Sequence, residues 1–92
     1  MLITNQDRDN TYYILSTVTE EKYYKNLLMG YNIYGWTAKK KHLLGTYDTL
    51  EDAQQIEEEI NRLKGRHTHY YMPEPSTIEE EDVFEMLGGA GA

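Results

Sequence analysis

Aromatic rings interleaved with cations occur twice in this chain, and that combination suits a nucleotide. A base stacks on a Tyr or Trp face, while Lys or Arg meets the phosphate as a point charge or a bidentate fork. The first group is Tyr34 and Trp36 followed by Lys39, Lys40 and Lys41; the second is Arg62, Arg66, His67 and Tyr70. Each has a plainer reading. Tyr34 and Trp36 serve equally well as core or subunit-interface residues, and a run of lysines is usually a solvated turn. Cations just past a helix end also simply complement its dipole. Arg8, in the polar stretch Asn5-Gln6-Asp7-Arg8, is a further candidate for a phosphate at the rim of a subunit junction. Ordinary turn chemistry explains that stretch as well.

Catalytic and metal chemistry have less to draw on. His67 and His69 share a face if that segment is extended, but no third ligand follows at a characteristic spacing, so no metal and no other cofactor is expected. The same two histidines with Thr68 suggest phosphodiester chemistry, yet the element lacks a partner, and Ser16 and Ser76 have no evident His and Asp order around them. With no cysteine, disulfides, thiolate sites and a cysteine nucleophile are excluded. The expectation is a protein that is not an enzyme.

Charge narrows the partners. The net charge of −7 is unevenly placed: residues 1–74 hold nine Lys and Arg against eleven Asp and Glu, and residues 75–92 hold five carboxylates and no cation. The body is therefore nearly neutral with local basic clusters, and the acidity belongs largely to a tail. A small anion remains a plausible ligand, whereas long nucleic acid would need a broad basic footprint. The N-terminus has no basic region followed by an apolar run, and no stretch approaches the ~20 apolar residues of a membrane span, which predicts a cytoplasmic protein without a membrane partner.

The elements that must position these residues read as one α+β domain over residues 1–74, an antiparallel meander of about four or five strands with one main helix packed on one face. Residues 2–4 predict a short strand, residues 5–10 a polar turn, and residues 11–18 and 31–36 strands rich in β-branched and aromatic residues. Glu20, Glu21 and Lys22 suggest a turn, with residues 23–29 a strand or an irregular segment. Residues 37–40 read as a hairpin connection and residues 41–47 as its return strand. Thr49 with Asp52 resembles a capping box, Leu50, Ala53, Ile56, Ile60 and Leu63 form an apolar stripe, and Gly65 stops the helix. Residues 69–72 suggest a last strand before Pro73 and Pro75, and residues 78–87 an acidic helical turn in the tail.

The sheet face away from the helix should be polar if it meets water. Here Tyr34 and Trp36 lie opposite Tyr31 and Ile33, and Tyr13 and Leu15 lie opposite Tyr12 and Ile14, so both faces are apolar. A chain of 92 residues buries only about 60–65% of its unfolded surface. The uncovered face therefore predicts a second subunit, the acidic tail or a ligand, and a homo-oligomer is expected.

Met1, Ile3, Gln6 and Asp7, then Leu44, Gly45, Tyr47, Thr49, Glu51 and Ala53, then Tyr71-Met72-Pro73, resemble three ordered motifs of a group of small uncharacterised phage and prophage proteins of Gram-positive bacteria. The resemblance covers residues 1–74 and implies a phage accessory role inside the host cell. By analogy, small oligomeric phage proteins of this kind are similar to anti-defence proteins that sequester nucleotide immune signals, of the cyclic ADP-ribose or cyclic oligonucleotide type, without cleaving them. The expected ligand-binding residues are then Arg8, Tyr34, Trp36, Lys41, Arg62, Arg66, His67 and Tyr70. Two alternatives stay open: a protein-contact inhibitor of a host or CRISPR-type defence enzyme acting through the acidic tail, and a small phosphodiester hydrolase.

Overall fold

Local chemistry explains the helix most completely. In the computed structural model, which describes residues 1–66 and 68–75, α1 spans Leu50–Leu63. Thr49 is its N-cap, with extended backbone and a side-chain oxygen that accepts the Asp52 N–H at 3.1 Å. Glu51 and Asp52 lie in the first turn and Arg62 in the last, each matching the helix dipole. Gly65, at φ +85°, takes the left-handed conformation that ends the helix after Lys64. Ala53, Ile56 and Ile60 are buried and Leu63 partly so, whereas Leu50 at the start of the stripe is exposed.

The described strands are β1 (Leu2–Thr4), β2 (Thr11–Tyr13), β3 (Ser16–Tyr24), β4 (Leu27–Trp36), β5 (Lys41–Tyr47) and β6 (His69–Tyr71). The fold is α+β. Six strands form two three-stranded sheets, β2-β1-β6 and β3-β4-β5, where the alternation pattern suggested a single meander. The division occurs inside residues 11–18, expected as one strand. Met1 and Ile14 still exchange backbone bonds on the first sheet, with Ile14 N–H donating to the Met1 carbonyl at 2.8 Å, while Leu15 N–H already donates to the Trp36 carbonyl of the second. The chain thus turns a corner between sheets at Ile14, whose side chain is buried. Gly35 lies beneath it: a Cβ there would come within 2.6 Å of Ile14 Cδ1 and 2.8 Å of Leu44 Cδ1.

The expected turn at Glu20, Glu21 and Lys22 is instead strand, paired with Asn32, Tyr31 and Gly30. The reversal falls at Lys25 and Asn26, both at positive φ (49° and 66°), as a two-residue hairpin matched to strand twist requires. The turn at residues 37–40 and the return strand β5 are as expected, with Thr37 Oγ1 donating to the Lys40 carbonyl at 3.1 Å. β6 lies parallel to β1, register Ile3 with Tyr70.

Helix α1 packs on β3, β4 and β5, and the core joins both sheets through Ile3, Ile14, Ile33, Leu44, Ile60 and Met72. Among the described residues no helix is long and apolar enough to cross a membrane. His67 and the tail helix suggested for residues 78–87 lie outside the described residues.

Candidate functional site

The expected site residues fall into three places. Tyr34, Trp36 and Lys41 lie together on the face of β3-β4-β5 away from the helix, because Trp36 pairs with Lys41, Tyr34 with Leu43, and side chains alternate along each strand. The Lys41 ammonium stands 4.5 Å from the centre of the Tyr34 ring and 2.7 Å from a Glu20 carboxylate oxygen. Tyr34 is held in place from the other side, with Asn32 Nδ2 donating to its hydroxyl at 3.2 Å and Thr46 Oγ1 donating to Asn32 Oδ1 at 2.6 Å. A ring and a cation do meet here. The Glu20 carboxylate already matches the ammonium, which leaves this cluster poorly suited to hold a phosphate.

Tyr70 is a core residue. Its ring is 5% exposed, between β1 and the helix side of the molecule, so it offers no face for a base. The reason is the pairing of β6 beside β1, which turns Tyr70 inward with Ile3 and turns His69 and Tyr71 outward. Burial, with Glu59 adding to it, pushes the Tyr70 hydroxyl up to about 12.

The outward side chains of β2-β1-β6 make the more complete arrangement. Leu2 pairs with Tyr13 on one side and His69 on the other, so the three share a row; Thr4, Thr11 and Tyr71 form the next row. Thr4 Oγ1 is 2.6 Å from both Thr11 Oγ1 and His69 Nε2, a hydroxyl chain that accommodates either imidazole tautomer by reversing its donors. The His69 ring stacks on Tyr71 at 4.4 Å, and the Arg8 guanidinium stands 5.3 Å from the Tyr71 ring centre on the far side of this series.

At the end of the Leu2 row, where the sheet meets the C-terminal end of α1, lies a groove of about 380 Å³. It is lined by apolar Leu2, Ile14 and Leu15 together with Tyr13, Lys64 and His69. Its volume falls within the range of small-molecule sites. The helix end is unfavourable to an anion, because the carbonyl ends of the dipole point towards it. Lys64 in the groove and Arg62 and Arg66, both exposed at the same helix end, offset that field; none is held in an ion pair with another described residue.

The structure thus brings Arg8, through Tyr71, alongside His69 on the face of the first sheet, leaves Arg62 and Arg66 exposed at the C-terminal end of α1 outside the groove lining, and keeps Tyr34, Trp36 and Lys41 apart on the second sheet. Sequence reasoning missed Tyr13 and Lys64. Alternation in residues 11–18 set Tyr13 on the face opposite Tyr12 and Ile14, but only the pairing of β2 and β6 on either side of β1 puts Tyr13 and His69 in one row with Leu2 between them. Among the described residues no group of three or more His, Cys, Asp or Glu could hold a metal ion. Thr68 Oγ1 donates to the Arg66 carbonyl at 3.2 Å, and the hydroxyl beside His69 is that of Thr4, itself buried.

No family model matches the sequence, and no curated protein or solved structure matches it either.

Proposed function

We propose that the protein is a non-catalytic binding module that captures a small nucleotide-derived anion and holds it unaltered, by analogy with phage anti-defence proteins that sequester nucleotide signals. The observation that carries this reading is the 380 Å³ groove that joins the Tyr13 ring, the Lys64 ammonium and the His69 imidazole on an apolar lining. Tyr13 supplies a face for a base, Lys64 a charge for a phosphate, and His69, oriented by Thr4, a hydrogen bond from its other nitrogen. Sequestration asks for no more chemistry than this. The hydroxyl next to His69 belongs to a buried strand residue and is shared with Thr11, an arrangement better suited to orienting the ring than to attacking a phosphorus atom.

The test is a melting-temperature screen of the chain against cyclic oligonucleotides and ADP-ribose-derived cyclic nucleotides, followed by heat release of any ligand bound. Stabilisation with the ligand recovered intact supports sequestration. Stabilisation with a hydrolysed product favours the hydrolase, and no stabilisation by any nucleotide favours the inhibitor.

The inhibitor reading has its own observation. The β3–β4 hairpin extends beyond its pairing with β5 and exposes Tyr23, Tyr24, Leu27, Leu28 and Met29, with Leu27 66% exposed. Apolar residues on both faces of a two-stranded ribbon suit a protein partner, either a second copy or a target.

A further inference from the structure

We propose that the acidic segment of residues 76–92 docks on the face of the β3-β4-β5 sheet away from the helix. This goes beyond the groove reading and does not depend on it.

The surface is both apolar and basic. Val18, Tyr34, Trp36 and Leu43 lie across its middle, with Trp36 44% and Leu43 47% exposed. Around them stand Lys22, Lys39, Lys40 and Lys41 against the single carboxylate of Glu20, a local excess of three positive charges in a chain whose net charge is −7. The opposite side of the body is acidic, with Glu51, Asp52, Glu57, Glu58 and Glu59 on α1. An acidic segment is therefore repelled from the helix side and attracted to the sheet side.

Residues 76–92 complement that surface in both respects. Ile78, Val83, Phe84 and Leu87 supply apolar side chains, and Glu79, Glu80, Glu81, Asp82 and Glu85 supply the charge with no Lys or Arg among them. The segment also begins in the right place. The Pro73 carbonyl accepts from Tyr47 Oη at 2.6 Å and from Gln6 Nε2 at 3.3 Å, which anchors the chain beside the end of β5, the edge strand of this sheet. Crossing three strands spans roughly 10 Å, and running from the Tyr47 end of β5 to the level of Lys41 about 20 Å, a diagonal of about 22 Å. Seventeen residues cover about 25 Å even when fully helical, so the reach is sufficient.

Trp36 is the only tryptophan, which makes it a direct reporter. In the full chain, the triple variant Val83→Ser, Phe84→Ser, Leu87→Ser and the charge variant Glu79→Gln, Glu80→Gln, Glu81→Gln, Asp82→Asn are each expected to red-shift Trp36 emission. Acrylamide quenching should steepen roughly twofold, and the far-UV circular dichroism of the body should stay constant. An intramolecular segment acts at an effective concentration on the order of millimolar, so the shielding should persist on dilution from ~100 μM to ~1 μM. Unchanged quenching in both variants would overturn the proposal. Shielding lost on dilution in the unmodified chain would also overturn it and assign the surface to a second copy instead.

Discussion

Gln6 and Thr46 bond to each other as two paired strand residues would: Gln6 Nε2 donates to the Thr46 carbonyl and the Thr46 N–H donates to Gln6 Oε1, both at 3.0 Å. The Gln6 N–H also donates to the Leu44 carbonyl at 2.7 Å, and Nε2 reaches the Pro73 carbonyl at 3.3 Å. One side chain thereby closes the edge of β5, ties the β1–β2 loop to the second sheet and holds the chain that follows β6. Replacement by alanine leaves the Thr46 N–H without its partner. Gln6→Ala is expected to cost about 1–3 kcal/mol in urea unfolding. Gln6→Glu, which turns a donor between two carbonyls into an acceptor, should cost at least as much.

Tyr70 gives the opposite sign. Its buried hydroxyl has no hydrogen-bond partner among the described residues, so Tyr70→Phe removes an uncompensated polar group and should be neutral or stabilising by up to ~1 kcal/mol. Burial also raises the hydroxyls of Tyr47 and Tyr70 above the ordinary tyrosine value. Above pH ~10 the unfolded chain releases protons that the folded chain retains, so stability is fully present below that value and falls as pH rises towards 12. Denaturant midpoints measured between pH 8 and 11.5 should decline more gently for Tyr70→Phe than for the unmodified chain.

The exposed hairpin tip predicts self-association. Tyr24→Ser with Leu27→Ser removes large apolar side chains from neighbouring positions without touching the core. Light scattering at micromolar concentration should show at least a dimer for the unmodified chain and a smaller mass for this variant. A monomeric mass for both would remove homo-oligomerisation from the account.

Lys41 on β5 and Lys64 at the C-cap of α1 should behave differently towards a nucleotide. Lys41 is paired with Glu20 and partly exposed, so Lys41→Ala should change both stability and ligand retention little. Lys64 lines the groove. Loss of one charge-assisted phosphate contact removes about 1.5–3 kcal/mol, so Lys64→Ala should weaken retention roughly tenfold or more, with a shallower salt dependence. Titration calorimetry of both variants with the same nucleotide checks the contrast.

What could be read from the chain before its fold was known follows the range of the interactions. The helix was legible from Thr49 to Gly65 because cap, stripe and stop are all local. The hairpin joining Trp36 to Lys41 was legible for the same reason. The Lys25-Asn26 turn was not, since it lacks the glycine that usually marks a two-residue reversal and the charged Glu20-Glu21-Lys22 looked more turn-like. The corner at Ile14 was hidden because alternation runs through it undisturbed. Most consequential was the parallel pairing of β1 with β6, which joins residues more than sixty positions apart. That single contact buries Tyr70, turns His69 outward and assembles the groove from Tyr13, Lys64 and His69; of these only His69 stood out by spacing, and then only as a partner of His67.

Native mass spectrometry of the full chain incubated with cyclic oligonucleotides and ADP-ribose-derived cyclic nucleotides reads ligand mass and stoichiometry together, and so separates capture of an intact nucleotide from turnover and from no binding. Sequestration in the groove predicts an adduct of unaltered nucleotide mass on the unmodified chain, lost or strongly reduced in Tyr13→Ala and Lys64→Ala and retained in Lys41→Ala. An adduct that survives both groove substitutions in folded protein, or the absence of any nucleotide adduct on the unmodified chain, would contradict it.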